Sequence, residues 1–242
     1  MELSKRLQAV ANLVKPCDTM ADIGCDHGYV SIYLIQKQIC KKVIAMDINK
    51  GPLEKATFHI EQAKLTHLIE TRLSNGAKML QLGETDGVIC AGMGGRLTVS
   101  ILEESLEKVL DMKQLILQPQ SELWLVRQYL KKIGLVIDKE DIIFEDGKYY
   151  PMMHVVPSNI SNVKYENLTK NQYFFGKAEL EDKFGPCLLR DRTPVFIEFL
   201  NKELTKYNEV LNKLCKTDQA DTRLLEIESE IEAIHAALSY DR

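Results

Sequence analysis

At 242 residues, with 45% hydrophobic and 27% charged residues and a formal net charge of −4, the chain has the composition of a globular protein with one large and one small domain, not of a disordered tail or a peptide-sized module. It contains no run of about 18 apolar residues able to cross a bilayer, and its start, Met1-Glu2-Leu3-Ser4-Lys5-Arg6, lacks the apolar core of a signal peptide. Six scattered cysteines without a Cys-x-x-Cys pair argue for reduced thiols in a cytoplasmic protein and against a zinc site. The acidic balance excludes a generally basic nucleic-acid binder, so a polyanionic partner requires a local cationic patch.

Taken in chain order, residues 1–15 form an amphipathic helix with Leu3, Leu7, Val10, Leu13 and Val14 on one face. Thr19–Ile23 and Lys42–Met46 read as strands around a helix over Tyr29–Lys37, and Pro52 opens a helix that runs to about Lys64. Leu68–Leu73, Gly87–Cys90 and Gln114–Leu117 read as further strands, with helices over Leu97–Leu110 and Glu122–Lys132. Strand-helix alternation of this kind specifies an α/β, doubly wound parallel sheet of Rossmann-like type. Leu135–Phe144 and Tyr149–Val156 then flank Glu145-Asp146-Gly147-Lys148, where Asp-Gly signals an antiparallel hairpin.

The pattern changes at Pro157-Ser158-Asn159, which divides the chain into a domain over 1–157 and a helical one over 158–242. In the latter, Phe196, Leu200, Leu204, Tyr207, Leu211 and Leu214 mark one helix face, and Leu224, Ile227, Ile231, Ile234 and Leu238 mark another. A short polar link around Thr217-Asp218 makes them an antiparallel helical hairpin with coiled-coil character.

Four loops at strand ends carry the chemistry. In Ala21-Asp22-Ile23-Gly24-Cys25-Asp26-His27-Gly28, Gly24 permits a sharp turn and Gly28 a close approach, while the helix start offers free N–H groups to a ligand. The spacing is Gly-x-x-x-Gly and not the dinucleotide fingerprint Gly-x-Gly-x-x-Gly. The carboxylates of Asp22 and Asp26 repel a pyrophosphate but suit a cationic or zwitterionic ligand end, which favours S-adenosylmethionine over NAD. Asp47, with Ile48, ends the next strand about twenty residues on, where a carboxylate accepts from ribose hydroxyls. Asn75 and Gly76 follow the third strand and suit an adenine. Ala91, Gly92 and Met93, continued by Gly94-Gly95, leave backbone open where a methyl group and its acceptor meet. His27 reads as a structural hydrogen-bonding residue, and Gln118-Pro119 as an acceptor-pocket wall or a rigid loop.

Ser4-Lys5-Arg6-Leu7, the Ala21–Gly28 segment, Ala91-Gly92-Met93-Gly94-Gly95, Leu115-Ile116-Leu117-Gln118-Pro119 and Glu145-Asp146-Gly147-Lys148-Tyr149-Tyr150 together resemble the bacterial tRNA (adenine-22-N1)-methyltransferase family. The resemblance spans most of the chain, including Gly185-Pro186 before the helical hairpin. It implies a Rossmann-like catalytic domain, a helical second domain and S-adenosylmethionine-dependent methylation of tRNA at adenine N1; the alternative is the same fold acting on another RNA or a small metabolite. Asn75 departs from the acid common in related methyltransferases. Because adenine N1 carries its own lone pair, transfer needs alignment and electrostatics instead of a base, and Asp26 is the candidate catalytic group, placed to stabilise the cationic product. Lys5, Arg6 and Lys15, Arg96, and Arg190 with Arg192 are the candidate phosphate contacts. Residues 158–242 carry 12 basic against 15 acidic side chains, a net of −3, and the remainder a net of −1, so neither half is basic overall. A monomer or weak homodimer is expected.

Overall fold

The computed structural model describes residues 3–158, 176–214 and 221–240. The chain divides into two compact units, Met1–Lys164 and Tyr165–Arg242. The link around Thr217-Asp218, Asn159 of the boundary and Cys215 lie outside the described residues.

The first unit opens with α1 (Lys5–Leu13), shorter than the amphipathic pattern. Pro16 disfavours helical backbone at the residue before it, and Val14 is already extended. Strands β1 (Cys17–Ile23), β2 (Cys40–Asp47) and β3 (Ile69–Leu73) alternate with α2 (Tyr29–Gln36) and α3 (Lys50–Gln62). Strands β4 (Gly87–Met93) and β5 (Gln114–Pro119) follow, separated by α4 (Gly95–Glu104) and α5 (Leu106–Asp111). The single helix expected over Leu97–Leu110 is therefore two: Ser105 leaves helical geometry at φ −130° and ψ 29°, and the turn lets Leu102 and Val109 both reach the interior.

After α6 (Leu123–Lys132), the long strands β6 (Leu135–Glu145) and β7 (Lys148–Pro157) close the unit. The sheet runs β3-β2-β1-β4-β5-β7-β6, parallel through β5 and antiparallel where β7 enters between β5 and β6. The hairpin turn has positive φ at both Asp146 (48°) and Gly147 (79°), the backbone that a two-residue type I′ turn demands.

Burial follows the topology. Strand β5 is buried at all six positions, as expected of a strand covered on both faces. Helices α1, α2 and α3 contact one another in sequence, and α4 contacts both α5 and α6. A carboxylate from the hairpin fastens α1: Glu145 accepts the Lys5 N–H at 2.6 Å and the Arg6 N–H at 3.1 Å, satisfying donors that a helix start leaves free.

The second unit contains α7 (Lys177–Phe184), α8 (Pro186–Asp191), α9 (Pro194–Leu214) and α10 (Asp221–Leu238). Phe196, Leu200, Ala233, Ile234 and Ala237 are fully buried at its base, while Leu204, Tyr207, Leu211, Leu224 and Ile231 are half-buried. The inner face of α10 thus combines Ile227 and Ile234 of the leucine-isoleucine stripe, both buried, with two alanines whose small side chains permit close approach. Arg192, just before α9, donates to the carbonyls of Ala237 and Leu238 at 2.9 and 2.5 Å. That contact places the start of α9 beside the end of α10 and makes the pair antiparallel. It also occupies Arg192 as a cap on free helix carbonyls.

Gly95 tests the packing directly. A Cβ there would lie 2.5 Å from the Ser121 carbonyl oxygen and 2.7 Å from that of Glu122, backbone atoms that cannot swing aside. Gly95→Ala is expected to cost about 2 kcal/mol and lower the melting temperature by roughly 5 °C. Gly51→Ala, on α3 with open space around it, is expected to leave the melting temperature unchanged or raise it slightly in the same calorimetric scan.

Candidate active site

The site forms at the carboxyl ends of β1 and β4, neighbours in space but far apart in sequence. The turn after β1 holds Gly24 (φ 72°), Asp26 (φ 49°) and Gly28 (φ 71°) in left-handed backbone, which folds the segment tightly enough to start α2 at Tyr29. A Cβ on Gly24 would collide with the Met93 methyl at 2.3 Å, and one on Gly28 would press on Ala56 at 3.2 Å. Both glycines therefore serve close approach as well as turning. A cavity of about 420 Å³ opens here, lined by Arg6, Leu7, Asp22, Gly24, Cys25, Asp26, His27, Tyr29, Val30, Ile89, Ala91, Gly92, Met93 and Gln120.

Asp22 is the electrostatic centre of one wall. It is 4% exposed and accepts the Ser31 hydroxyl at 2.6 Å. Burial pushes its carboxyl up to about 6, an effect the Ser31 hydrogen bonds only partly offset and the Asp47 carboxylate reinforces. Asp26 is exposed and lies 3.7 Å from His27 Nε2. The His27 ring stacks on Tyr29 and His59 at centroid distances of 5.3 and 5.5 Å, and His59 Nδ1 meets the His27 backbone carbonyl at 3.0 Å, while the His27 ring Nδ1 is buried without a hydrogen-bond partner among the described residues. Burial and the surrounding carboxylates push the Cys25 thiol far above its usual range, and burial pushes Cys90 up to about 12. Neither is a thiolate nucleophile at neutral pH.

The loops after β2 and β3 lie outside this cavity lining. Asp47 is buried and accepts the Asn49 N–H at 2.8 Å; Ile48 beside it is exposed. Asn75 is exposed and Gly76 buried, with the Gly76 carbonyl accepting from Ser74 Oγ at 2.7 Å. The structure thus brings Asp22, Gly24, Cys25, Asp26, His27, Ala91, Gly92, Met93 and Arg6 around one cavity, with Gly28 in the same turn packed on Ala56, and leaves Asp47, Ile48, Asn75 and Gly76 on the loops after β2 and β3.

On the opposite wall Gly92 was a sequence candidate and Arg6 was expected as a phosphate contact, whereas Leu7 and Gln120 carried no signal. Arg6 projects from α1, its guanidinium 5.7 Å above the Tyr150 ring and 3.0 Å from Gln118 Oε1. Gln120 and Leu7 join it. A glycine inside a strand run was the signal for Gly92, because it marks a bulge: the β4–β5 register shifts between Ala91 and Met93, with Gly92 at φ 81°. Of the remaining candidates, Arg96 pairs with Glu122 at 2.8 Å and Arg190 with Asp191 at 2.8 Å. Lys5 is exposed, and the backbone of Lys15 is bound to the Gln114 amide. Among the described residues, no group of three or more His, Cys, Asp or Glu could hold a metal ion, and no described helix is long and apolar enough to cross a membrane.

A doubly wound sheet with an antiparallel end hairpin, opening at the β1/β4 switch point onto a Gly-x-x-x-Gly turn with a buried acid, defines a class I methyltransferase. Residues 3–153 match the methyltransferase-domain family. The sequence is 29% identical to the tRNA (adenine(22)-N(1))-methyltransferase of Bacillus subtilis over 99% of this chain and 98% of that one. The structure is similar to that of M. capricolum TrmK in complex with S-adenosyl-homocysteine, at 28% identity, a TM-score of 0.82 and full coverage of both chains. It is also similar to a Streptococcus agalactiae protein of the NADB-Rossmann superfamily, at 33% identity and a TM-score of 0.83, over 99% of this chain and 98% of that one. The chain belongs to the methyltransferase-domain family and, within it, to the bacterial tRNA (adenine-22-N1)-methyltransferases.

Because the Asp22 carboxyl is raised from 3.8 to about 6, the folded protein holds that proton more tightly than the unfolded chain. The penalty for burying the charge is then absent below pH 3.8 and complete above about pH 6. Asp22→Asn keeps an acceptor for Ser31 and removes the charge. It is expected to be more stable than the parent above pH 6 by up to about 3 kcal/mol, with the advantage fading as pH falls toward 4. Urea unfolding at pH 4.5 and 7.5 checks this; equal differences at the two pH values would contradict it.

Proposed function

We propose that this protein transfers the methyl group of S-adenosylmethionine to N1 of adenine 22 in tRNA, forming 1-methyladenosine. The observation that carries the reading is the two-walled cavity at the β1/β4 switch point, with a buried carboxylate on one wall and a cationic, amide-lined wall opposite. The base and its position follow from the full-length similarity to the Bacillus subtilis enzyme.

The residues present fit the cofactor. A buried acid whose charge is penalised by burial gains most from a cation placed against it, and the ammonium of the cofactor's amino-acid end is such a cation. In this reading Asp22 holds that ammonium. Gly24, Cys25, Asp26, His27 and Gly28 wrap the amino-acid end, Asp47 and Ile48 meet the ribose, Asn75 and Gly76 the adenine, and Ala91, Gly92 and Met93 border the reacting centre. S-adenosylmethionine, when bound, supplies an electrophilic methyl group on a sulfonium.

The rest falls to the chain itself. Adenine N1 attacks with its own lone pair, so no side chain need remove a proton first, and the buried thiols of Cys25 and Cys90 stand aside as non-nucleophiles. The walls hold the acceptor in line and exclude water. Asp26, exposed at the rim, stabilises the cationic base as it forms. The Watson-Crick edge of the target must be free, so the nucleotide leaves any stack or pair before reaction. Lys5, Arg6, Arg96 and Arg190 contribute phosphate contacts from the catalytic domain (1–157) and the helical domain (158–242), in a cytoplasmic enzyme that works as a monomer or weak homodimer.

The direct test uses labelled S-adenosylmethionine with an unmodified tRNA transcript bearing adenine at position 22, beside one bearing guanine. Label is expected only in the first, recovered as 1-methyladenosine; label in neither, with cofactor binding intact, would direct the search to other RNAs or small metabolites. Asp26→Asn is expected to lower kcat about tenfold, equivalent to roughly 1.4 kcal/mol, without changing cofactor affinity. Full turnover by that variant would remove Asp26 from the mechanism.

A further inference from the structure

The turn after β1 and the helix α3 enclose a second hollow, of about 490 Å³, beside the active-site cavity. Four of the residues lining it carry rings. His27, Tyr29 and His59 pack within 4.9–5.5 Å of one another, centroid to centroid, and Phe58 stands edge-on to His59 at 5.7 Å and 63°. Ring planes that meet at such an angle form a corner against which a flat ligand can stack. Phe58 takes no part in the core: α3 buries Ala56 and Ile60, and the Phe58 side chain is left 56% exposed. A single exposed apolar side chain is ordinary on a protein surface, but one that completes a four-ring hollow offers a stacking surface.

The charges around the hollow decide what fits it. Glu54 and Lys55 both line it, so a phosphate loses to the carboxylate what it gains from the ammonium. A neutral nucleobase stacks on the rings whatever its identity, and its amino or ring N–H groups can donate to Glu54. Position points the same way. His27 and Tyr29 line this hollow and the active-site cavity alike, so the two adjoin, and a strand whose target base enters the cavity can lay the neighbouring base in the hollow. Turning the target nucleotide out of its stack removes a partner from each neighbour, and a ring surface at this place restores one. We propose that Tyr29, Phe58 and His59 form a stacking site for the base of the nucleotide next to the target adenine. This inference rests on the tRNA methyltransferase reading above.

Phe58→Ala removes the exposed ring and leaves the core untouched, while Phe58→Trp keeps an aromatic face. Phe58→Ala is expected to raise KM for tRNA about tenfold, with kcat and S-adenosyl-homocysteine affinity within about twofold and the melting temperature within about 2 °C of the parent; Phe58→Trp is expected to behave as the parent does. An unchanged KM overturns the proposal, as does a rise matched by loss of cofactor affinity or of thermal stability, since the ring would then be structural. Transcripts lacking the base at position 21 or at position 23 locate the contact. The parent is expected to lose about tenfold on one of the two, and Phe58→Ala, already without the ring, to lose nothing further on it. Equal losses by parent and variant on both transcripts overturn the proposal, because the deleted base then acts independently of Phe58. A transcript with 5-iodouridine at the same position, irradiated in complex with the parent, is expected to crosslink to α3; a crosslink confined to other elements overturns the proposal without recourse to a variant. A parent enzyme inactive on every tRNA overturns the methyltransferase reading and this inference together, whereas an active parent with an indifferent Phe58→Ala overturns this inference alone.

Discussion

The arrangement of the catalytic unit depends on one topological constraint, the reversal of strand order at β1 and β4. The chain winds outward from β1 through β2 to β3, then returns to pair β4 with β1 and continues to β5. Right-handed crossovers oblige the helices on the two sides of that point to pack on opposite faces of the sheet, so the loops after β1 and β4 diverge. The crevice between them is a consequence of handedness and order, and the residues that follow β1 and β4 fall into it whatever their chemistry. Evolution of a site in this fold then reduces to choosing what stands on those two loops.

Those choices divide the cavity electrostatically. The wall from β1 carries Asp22, buried and protonating near pH 6, with Asp26 at the rim. The wall beyond β4 carries the Arg6 guanidinium, held by an amide oxygen and an aromatic ring. A ligand with a cationic end is drawn to the first wall and an anionic, electron-rich nucleotide to the second. Two substrates of opposite character can thus occupy one cavity without exchanging places. Holding Arg6 there takes an unusual route: the Glu145 carboxylate, from the tip of the antiparallel hairpin, caps the start of α1. The hairpin that ends the sheet therefore helps to position a residue near the beginning of the chain, 139 positions away.

Much of this was legible in the residues. Strand-helix alternation, Pro52 as a helix opener and Asp146-Gly147 as a type I′ turn identify their elements because the physics of each is local: periodic burial, a fixed φ, a positive φ. The grouping of Asp22, Gly24, Asp26 and Gly92 was legible for the same reason, since each ends a strand and parallel strands end on one side. The break at Ser105 was not, because the apolar spacing of Leu97–Leu110 continues through it and only the depth of the core beneath decides where the helix must bend. The cap that Arg192 places on α10 was not legible either, because its partners are backbone carbonyls 45 and 46 residues away, and a carbonyl leaves no mark in a sequence.

What the sequence determined by itself was the fold class, the type of ligand suited to the first loop and the residues of that loop, all of which depend on short-range pattern and on the sign of nearby charges. Only the tertiary structure decided the acceptor wall. Arg6, Gln118, Gly92, Glu145 and Tyr150 come from five separate elements, and their relation is made by strand order, by a one-residue bulge and by burial. A glutamine in an apolar strand reads equally as an error or as a clamp until the fold shows what its oxygen holds.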